Sequence, residues 1–293
     1  MKFLYVLVSE EKDIYYEQTL ASVLSLRHYN PDASVSLLVD DKTDKNLVGN
    51  FRAQIKNLVN EYKVVPFDEK MSNMVRSRYL KTNMRNHIDG DFLFIDGDTA
   101  IVDKLELKSI DPKGSVFAVV DMHGGENDKY QVKHKKNNAD KETMNFSLSF
   151  HDKYFNSGVI FARDDKPARE FFSKWHALYQ QCAQKGIFTD QISFNETNHI
   201  LNHSIVEMPG EWNCQVREAY NHLYRVKTIY PILCRSKILH FFSTGIDGKK
   251  EPHPLMRKDF FVKMKELQSV DESMLQVIRN ARQCFWGAPS VLN

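Results

Sequence analysis

Short apolar runs alternate with helical spacing of apolar residues through the first hundred residues, and this alternation limits the fold to few architectures. Residues 3–8, 35–39, 62–65 and 92–95 are wholly or mostly apolar runs of strand length. Residues 47–59 lie between two of these runs and place apolar side chains on one face of a helix. Repeated strand–helix units predict an α/β fold with a mainly parallel central sheet, helices on both faces and right-handed crossovers.

The same pattern continues in the second half of the chain after one interruption. Residues 115–120 and 154–162 are predicted strands, and residues 168–184 are a predicted helix with bulky apolar residues on one face. Residues 123–145 have no periodicity and are predicted to form a loop on the ligand-binding side of the sheet. A solvated basic loop without a role fits the same residues. No repeat or low-complexity linker divides the chain, which favours one compact unit.

The composition excludes several classes of protein. Of the 293 residues, 42% are hydrophobic and 27% are charged, as in a soluble globular chain. The net charge of +2 gives no indication of a nucleic-acid partner. No apolar run could span a membrane and residues 3–8 are too short for a signal peptide, so a cytoplasmic location is expected. The cysteines are scattered and are expected to be reduced thiols: Cys182, Cys214, Cys234 and Cys284.

Two carboxylates directly follow the strand predicted at residues 92–95. These are Asp96 and Asp98, with Gly97 between them. Ligands of open α/β sheets bind beyond the carboxyl ends of the strands, where both acids are expected to lie. Oxygen ligands of this kind suit Mg²⁺ or Mn²⁺ holding a phosphate-bearing substrate. An Asp-x-Asp triplet is common by chance and Asp-Gly is also a hairpin signal, so a polar turn is the alternative.

Three later segments add polar residues at predicted element ends. A strand begins with Asn156, Ser157 and Gly158, and the glycine permits close approach of a backbone. Taken with the Asp96 strand, these segments resemble the GT-A fold glycosyltransferases, most closely glycosyltransferase family 8, from the first strand to about Pro254. The other segments that carry the resemblance are the helix start Thr189-Asp190-Gln191, the strand residue His240, and the following Gly245, Lys249 and Lys250.

The resemblance implies a Rossmann-like GT-A domain that binds a nucleotide-diphosphate sugar through a divalent metal. Asp96, Asp98 and His240 would be the metal ligands, and an imidazole beside two carboxylates suits Mn²⁺ better than Mg²⁺. A partly buried strand histidine is the alternative for His240. The family's turn from glycine to Lys-Pro is longer in this chain, which leaves open which lysine meets the phosphates. The residues expected against the diphosphate are Gly245 and either Lys249 or Lys250.

The resemblance also implies a site for the transferred sugar. Asn156, Asp190 and Gln191 match positions that hold this sugar, with Asp190 accepting hydroxyl hydrogen bonds and Gln191 near the reactive face of the anomeric carbon. The alternative for Asp190 is a first-turn carboxylate stabilised by the helix dipole, worth about 0.3–1 kcal/mol. A surface arginine is the alternative for Arg78. The remaining donor-binding residues implied are Arg78 on the preceding helix, Gly97, and Val8, Ser9 and Tyr15 near the nucleoside.

The expected activity is metal-dependent transfer of a hexose, with UDP-sugar the donor and a glycan or glycolipid the acceptor. Gln191 is an amide and a poor nucleophile, so retention of anomeric configuration by front-side attack is expected instead of a covalent intermediate. A nucleotide-sugar-binding protein without transferase activity is the alternative. A sugar nucleotidyltransferase would need a glycine-rich basic loop after the first strand, which residues 9–12 lack.

The C-terminal stretch is predicted to be a helical extension, residues 255–293, of a transferase domain formed by residues 1–254. Its apolar residues repeat with helical spacing and favour packing on the domain or on a partner subunit, as in a homo-oligomer. Interleaved basic residues would also fit peripheral contact with an anionic membrane, such as the inner membrane face. The apolar residues on these faces are Phe260, Phe261, Met264, Leu267, Met274, Leu275 and Ile278.

Overall fold

The computed structural model describes most of the chain. The described parts are residues 1–67, 70–106, 113–121, 139–149, 152–216, 223–241 and 253–286. Most of the predicted loop at 123–145 lies outside them, whereas residues 139–144 form a short helix, α5.

A seven-stranded sheet forms the centre of the molecule. Its strand order is β3-β2-β1-β4-β7-β6-β8, and β7 runs antiparallel to both of its neighbours while the other pairs are parallel. The predicted mainly parallel sheet is therefore confirmed. The strands are β1 Lys2–Leu7, β2 Ser34–Asp40, β3 Glu61–Val65, β4 Phe92–Ile95, β6 Val116–Val120, β7 Phe155–Ala162 and β8 Ile205–Glu207.

Helices pack on both faces of this sheet, and polar side chains define several of their starts. Ser72 accepts a hydrogen bond from the Val75 amide at the start of α4, and Asp165 accepts one from the Ala168 amide at the start of α6. The α-helices are α1 Tyr15–Tyr29, α2 Asp41–Asn46, α3 Gly49–Ala53, α4 Asn73–Asn83, α6 Lys166–Gln184, α7 Gln191–Ile200, α8 Leu223–Arg235, α9 Lys258–Leu267 and α10 Glu272–Arg279.

The helix expected at residues 47–59 differs from the structure observed there. It is α3 followed by the 3-10 helix Gln54–Leu58, and a further helix that was not predicted, α2, lies just before it. Asp40 ends β2 and accepts a hydrogen bond from the Thr43 amide, which starts α2 directly from the strand. Gly49 has a positive φ of 74° that separates α2 from α3.

A second, three-stranded sheet consists of β5 Thr99–Ile101, β10 Ile238–His240 and β9 Cys214–Gln215. The chain leaves β4 through residues 96–98 and enters β5, which pairs with β10 and not with β4. The Asp-Gly pair therefore lies in a turn between the two sheets and does not close a hairpin of β4 with β5. Since Thr99 pairs with His240, the change of sheet places the residues after β4 beside β10.

The strand alternation divides the apolar core into two layers, one on each face of the sheet. Phe3, Tyr5 and Leu7 point to the layer that contains α1, whereas Leu4 points to the opposite layer. Trp175 of α6 lies in that opposite layer. The fully apolar β4 contributes to both layers, as expected of a strand covered on both faces.

The last helices pack on α1. Phe261 and Met264 of α9 and Ile278 of α10 are buried in the same core layer as α1. The Tyr29 hydroxyl donates a hydrogen bond of 2.7 Å to the backbone carbonyl of Arg279, which fixes α10 to the end of α1. Much of the apolar surface of these two helices is thus covered by the chain itself, whereas Leu267 at the end of α9 is 50% exposed. In the described parts of the chain, no helix has the length and apolar character needed to cross a membrane.

His253 is a buried titratable group that connects this C-terminal region to the core. Its Nε2 donates a hydrogen bond of 2.8 Å to the Ala281 carbonyl, and its Nδ1 accepts one of 3.0 Å from the Leu255 amide. The ring also packs between Phe241 and Phe285. Burial lowers the pKa of His253 to about 4.

We expect the fold to lose stability as the pH falls from 7 to 5. Because the folded pKa of His253 lies below the ordinary 6.5, the unfolded chain takes up the proton first, and stability present above pH 6.5 is lost on acidification. The His253 contribution to this loss is about 2 kcal/mol, measured by urea unfolding at both pH values. His253→Gln should flatten the pH dependence by that amount, and His28→Gln, at an exposed histidine of α1, should leave it unchanged. Equal slopes in all three proteins would contradict the assignment.

Candidate active site

Asp96, Asp98 and His240 meet where the two sheets join. The Asp96 amide donates 2.8 Å to the Gly158 carbonyl, which extends the β4–β7 pairing by one residue. Asp98 Oδ1 lies 3.3 Å from His240 Nε2, and the Phe241 amide donates 3.0 Å to the Asp98 carbonyl. One ligand atom from each of the three predicted metal ligands lies within 4.8 Å of the others.

A chain of amide hydrogen bonds determines which nitrogen of His240 carries the proton. The Gly158 amide donates 2.9 Å to Asn156 Oδ1, so that atom must be the oxygen. Asn213 Nδ2 donates to the same oxygen at 2.9 Å, and Asn213 Oδ1 therefore faces His240 Nδ1 at 2.9 Å. This oxygen only accepts, so Nδ1 carries a hydrogen and the lone pair of neutral His240 lies on Nε2, towards Asp98.

This arrangement fits a divalent cation. Asp98 Oδ1 and His240 Nε2 both present lone pairs across 3.3 Å, a contact that is favourable only with a proton or a cation between them. Asp96 supplies a second carboxylate, and a histidine that donates its other N–H to a fixed acceptor is the usual form of a metal ligand. The carboxylate–imidazole set suits Mn²⁺ and accommodates Mg²⁺ less well.

Two glycines permit the close packing that this site requires. A Cβ on Gly158 would lie 2.2 Å from Cε1 of His240, so any side chain there would displace the imidazole. A Cβ on Gly97 would lie 2.3 Å from the Thr19 hydroxyl oxygen of α1. The predicted close approach at Gly158 therefore occurs, and its neighbour is a side chain of the site.

A second polar cluster surrounds Asp190, directly before α7. Its Oδ2 accepts hydrogen bonds from Ser157 Oγ at 2.8 Å and Lys81 Nζ at 3.1 Å, and its Oδ1 lies 3.4 Å from Arg78 Nε. Asp190 makes no side-chain capping hydrogen bond to α7. Although burial raises the pKa of Asp190, Lys81 and Arg78 together lower it below its ordinary value, so the carboxylate stays ionised.

Lys81 joins the two groups and was not found from the sequence. Its Nζ lies 3.1 Å from Asp96 Oδ2 and 3.1 Å from Asp190 Oδ2, and the side chain is buried. Burial raises the pKa of Asp96, and Lys81 opposes that effect. Lys81 follows Arg78 by three residues on α4, so both lie on one helix face. That spacing was the signal that could have found Lys81.

Gln191 and Asn156 lie together beside an acid that the sequence analysis did not select. Asn156 Nδ2 donates 3.0 Å to Asp121 Oδ1 and 3.4 Å to Gln191 Oε1. Asn195 Nδ2 donates a hydrogen bond of 2.8 Å to the Gln191 carbonyl, which fixes the first turn of α7. Asp121 directly follows β6, the same position that Asp96 has after β4, so the strand-end rule applied to Asp96 could have found it.

The residues predicted at the nucleoside end differ in exposure. Val8 and Ser9 follow β1 and are buried. The Ser9 hydroxyl donates 2.7 Å to Asp13 Oδ1 and accepts 2.8 Å from Arg52, so it is engaged inside the protein. Tyr15 is 45% exposed at the start of α1. Gly245, Lys249 and Lys250, predicted at the diphosphate, lie outside the residues that the structure describes.

The fold and site define an α/β protein with a carboxylate–imidazole group beyond the strand ends of a mainly parallel sheet. Residues 7–246 match the family described as glycosyl transferase family 8. The chain belongs to this family and is a glycosyltransferase. A search of curated proteins found no match.

Solved structures with the same fold are GT-A glycosyltransferases. The apo structure of the bifunctional glycosyltransferase WbbM has a TM-score of 0.59 at 17% identity, covering 94% of this chain and 51% of WbbM, about half its length. The galactosyltransferase LgtC, solved with donor and acceptor sugar analogs, has a TM-score of 0.54 at 15% identity. The match covers 93% of this chain and 98% of LgtC. The apo form of the glycosyltransferase GlyE from Streptococcus pneumoniae TIGR4 has a TM-score of 0.55 at 16% identity. The match covers 96% of this chain and 63% of GlyE.

Removing the Lys81 charge should destabilise the fold. Lys81→Met leaves two carboxylates without their shared cation, and we expect a loss of about 3 kcal/mol in the free energy of unfolding, measured with urea in EDTA. In an Asp190→Asn background the same change should cost at least about 1 kcal/mol less, because the two residues interact directly.

The matched control is Lys56→Met, which removes a half-exposed lysine paired with Asp44 at 2.8 Å. It should cost less than about 1 kcal/mol. Equal costs for the two lysine variants, or strictly additive costs for Lys81→Met and Asp190→Asn, would contradict the assignment of Lys81.

Proposed function

We propose that this glycosyltransferase moves a hexose from a nucleotide-diphosphate sugar, with UDP-sugar the expected donor, to a glycan or glycolipid acceptor. The reaction depends on a divalent metal and retains the anomeric configuration. The observation that carries the proposal is the position of buried Lys81. It pairs with Asp96 of the group suited to a cation and with Asp190 of the group suited to a sugar. A metal-bound diphosphate and its attached sugar require two such adjacent sites.

Asp96, Asp98 and His240 hold the metal in this proposal, Mn²⁺ in preference to Mg²⁺. When bound, the metal offsets the negative charge that develops on the departing nucleoside diphosphate. His240 presents Nε2 because Asn213 occupies its Nδ1 hydrogen. Asn213 therefore fixes the direction in which the ligand lone pair points, as outer partners of ligating histidines do.

The transferred sugar lies against Asp190, Asn156 and Gln191. Each carboxylate oxygen has two acceptor directions, and Asp190 Oδ1, at 3.4 Å from Arg78, keeps capacity for a sugar hydroxyl. Gln191 lies next along the chain, beside Asn156. The donor and acceptor sugar analogs in the LgtC structure support a two-sugar site in this fold.

Retention follows from the chemistry of the residues beside the sugar. A covalent route needs a free carboxylate nucleophile, and the matched position holds Gln191, whose amide is a poor one. Asp190 is held by Lys81 and Arg78 and by the Ser157 hydroxyl, which lowers its reactivity as a nucleophile. The acceptor hydroxyl therefore attacks from the face that the diphosphate leaves, and the departing phosphate takes its proton.

The alternative from a different class is a nucleotide-sugar-binding protein without turnover. Both hypotheses predict donor binding, so transfer to an acceptor, or slow donor hydrolysis, separates them. The absence of a nucleic-acid partner, the cytoplasmic location, and contact of the C-terminal helices with the inner membrane face or a second copy stay predictions. The domain boundary at residues 254 and 255 also stays a prediction.

A thermal-stability panel tests the donor site. A nucleotide-diphosphate sugar at 100 times its Kd should add about 2.7 kcal/mol to the folded state in Mn²⁺, and EDTA should abolish the gain. Asp98→Asn should lose the gain while folding normally, because the Asp98 side chain is partly exposed in the crevice. Asp32→Asn, at an exposed acid before β2, should keep it. Stabilisation that persists in EDTA, or in Asp98→Asn, would contradict the metal–diphosphate site.

NMR of the product tests the stereochemical outcome separately. With the donor that the panel identifies, the new glycosidic linkage should have the same anomeric configuration as the donor, because attack occurs on the leaving-group face. The one-bond and three-bond couplings of the anomeric proton report this configuration in unpurified mixtures at early times. An inverted linkage would disprove front-side attack and would assign a base catalyst to a carboxylate such as Asp121.

A further inference from the structure

A second group of potential metal ligands lies at the opposite end of α7 from the donor site. Asp152 precedes β7, His199 is in the last turn of α7, and His203 follows that helix. His199 Nδ1 lies 2.8 Å from Asp152 Oδ2, and His203 Nε2 lies 3.8 Å from Asp152 Oδ1. One ligand atom from each residue lies within 4.8 Å of the other two. The transferase mechanism uses none of them.

The backbone after α7 adopts an unusual conformation that brings His203 to this position. Asn202 and His203 both have left-handed φ values, 54° and 58°. Such values are uncommon for residues other than glycine, and two in succession carry a conformational cost. The His203 amide donates 2.8 Å to the Asn198 carbonyl, which holds this turn. The turn places the His203 ring 5.6 Å from the His199 ring.

A backbone hydrogen bond holds the Asp152 carboxylate in place. Asp152 Oδ2 accepts 2.7 Å from the Ser149 amide. Asp152 is partly buried, whereas the His203 side chain is 54% exposed and can adjust. The group therefore combines a carboxylate held by a backbone amide and an imidazole on a helix with a second, solvent-exposed imidazole.

The interatomic distances bracket those of a zinc site. With metal–ligand distances of about 2.0–2.2 Å, two donors on one tetrahedral Zn²⁺ lie about 3.4 Å apart. The two Asp152–histidine distances, 2.8 and 3.8 Å, lie on either side of this value. Zn²⁺ binds imidazole and carboxylate, and three protein ligands leave its fourth position for water.

We propose that Asp152, His199 and His203 bind Zn²⁺, in a structural site that is separate from the donor site and takes no part in the chemical step. The ion would join the segment before β7 to the end of α7. These elements carry donor-site residues at Asn156 and at Gln191, so the ion would hold the two against each other.

Contacts already connect the same elements, which supports a structural role. Glu196 of α7 accepts hydrogen bonds from the Ser147 and Leu148 amides at 2.9 and 2.8 Å. Asn195 accepts 2.6 Å from the Phe155 amide and donates 2.9 Å to the Phe155 carbonyl. The proposed ion would add a third connection at the last turn. Since α7 spans about 15 Å, the ion would act on position and not on the chemical step.

The test counts zinc ions in the metal-free, full-length protein. The Asp98→Asn background weakens metal binding at the proposed donor site of Asp96, Asp98 and His240. In this background, Zn²⁺ titration against a chromophoric chelator should give one zinc site per chain. Adding His199→Gln or His203→Asn should weaken that site at least tenfold, since altering even a partner of a ligand costs about 10–100-fold. Asparagine is chosen because it tolerates left-handed backbone. Co²⁺ should show tetrahedral visible absorption in the background protein and lose it in both variants.

His28→Gln in the same background is the matched control and should bind zinc as the parent does. Metal-free melting temperatures of the parent and of both histidine variants should agree within a few degrees, which would show that the variants fold. The proposal is overturned if the Asp98→Asn protein binds no zinc, or if His199→Gln and His203→Asn bind it as tightly as their parent. Either result would leave the group as a hydrogen bond that closes α7.

Discussion

The architecture of the site depends on burying one lysine between two carboxylates. Lys81 from α4 reaches Asp96 after β4 and Asp190 before α7, so three separate segments converge on one ammonium group. A buried charge without partners is strongly unfavourable, so separating these segments would leave the lysine or a carboxylate uncompensated. The ammonium group also lies 5.2 Å from the centre of the Phe94 ring, on the strand that delivers Asp96.

The amide chain from Gly158 to His240 connects the large sheet to the small one. Asn156 and Gly158 belong to β7, whereas Asn213 precedes β9 and His240 ends β10. Each hydrogen bond in this chain fixes the direction of the next, so the proton position on the imidazole follows from a backbone amide in another sheet. The same Asn156 also contacts Gln191, so one side chain orients both the cation group and the sugar group.

Much of the fold and part of the site could be predicted from the sequence. Apolar runs and helical spacing predicted the central strands and the mainly parallel sheet, because a strand buried on both faces is almost continuously apolar in sequence. Asp96 and Asp98 were predicted because two acids directly after a buried strand are a local pattern, whereas the roles expected of Asp190 and His240 came from the resemblance to glycosyltransferase family 8. Lys81 and Asn213 were missed because a lysine in a helix and an asparagine in a loop look ordinary until the fold assembles. β5 belongs to the small sheet and not to the central one because it pairs with β10, far along the chain, and no local pattern predicts this pairing.

Formal charge explains why the lysine cluster and the cation group belong to one site. Asp96, Asp98 and Asp190 carry three negative charges, against the two positive charges of Lys81 and Arg78. The cluster is therefore one charge negative and would repel a diphosphate. A divalent cation reverses that sign, and a phosphate group then meets net attraction. In the proposed mechanism, the single charge of Lys81 leaves one negative charge without compensation, and a divalent cation would supply that compensation.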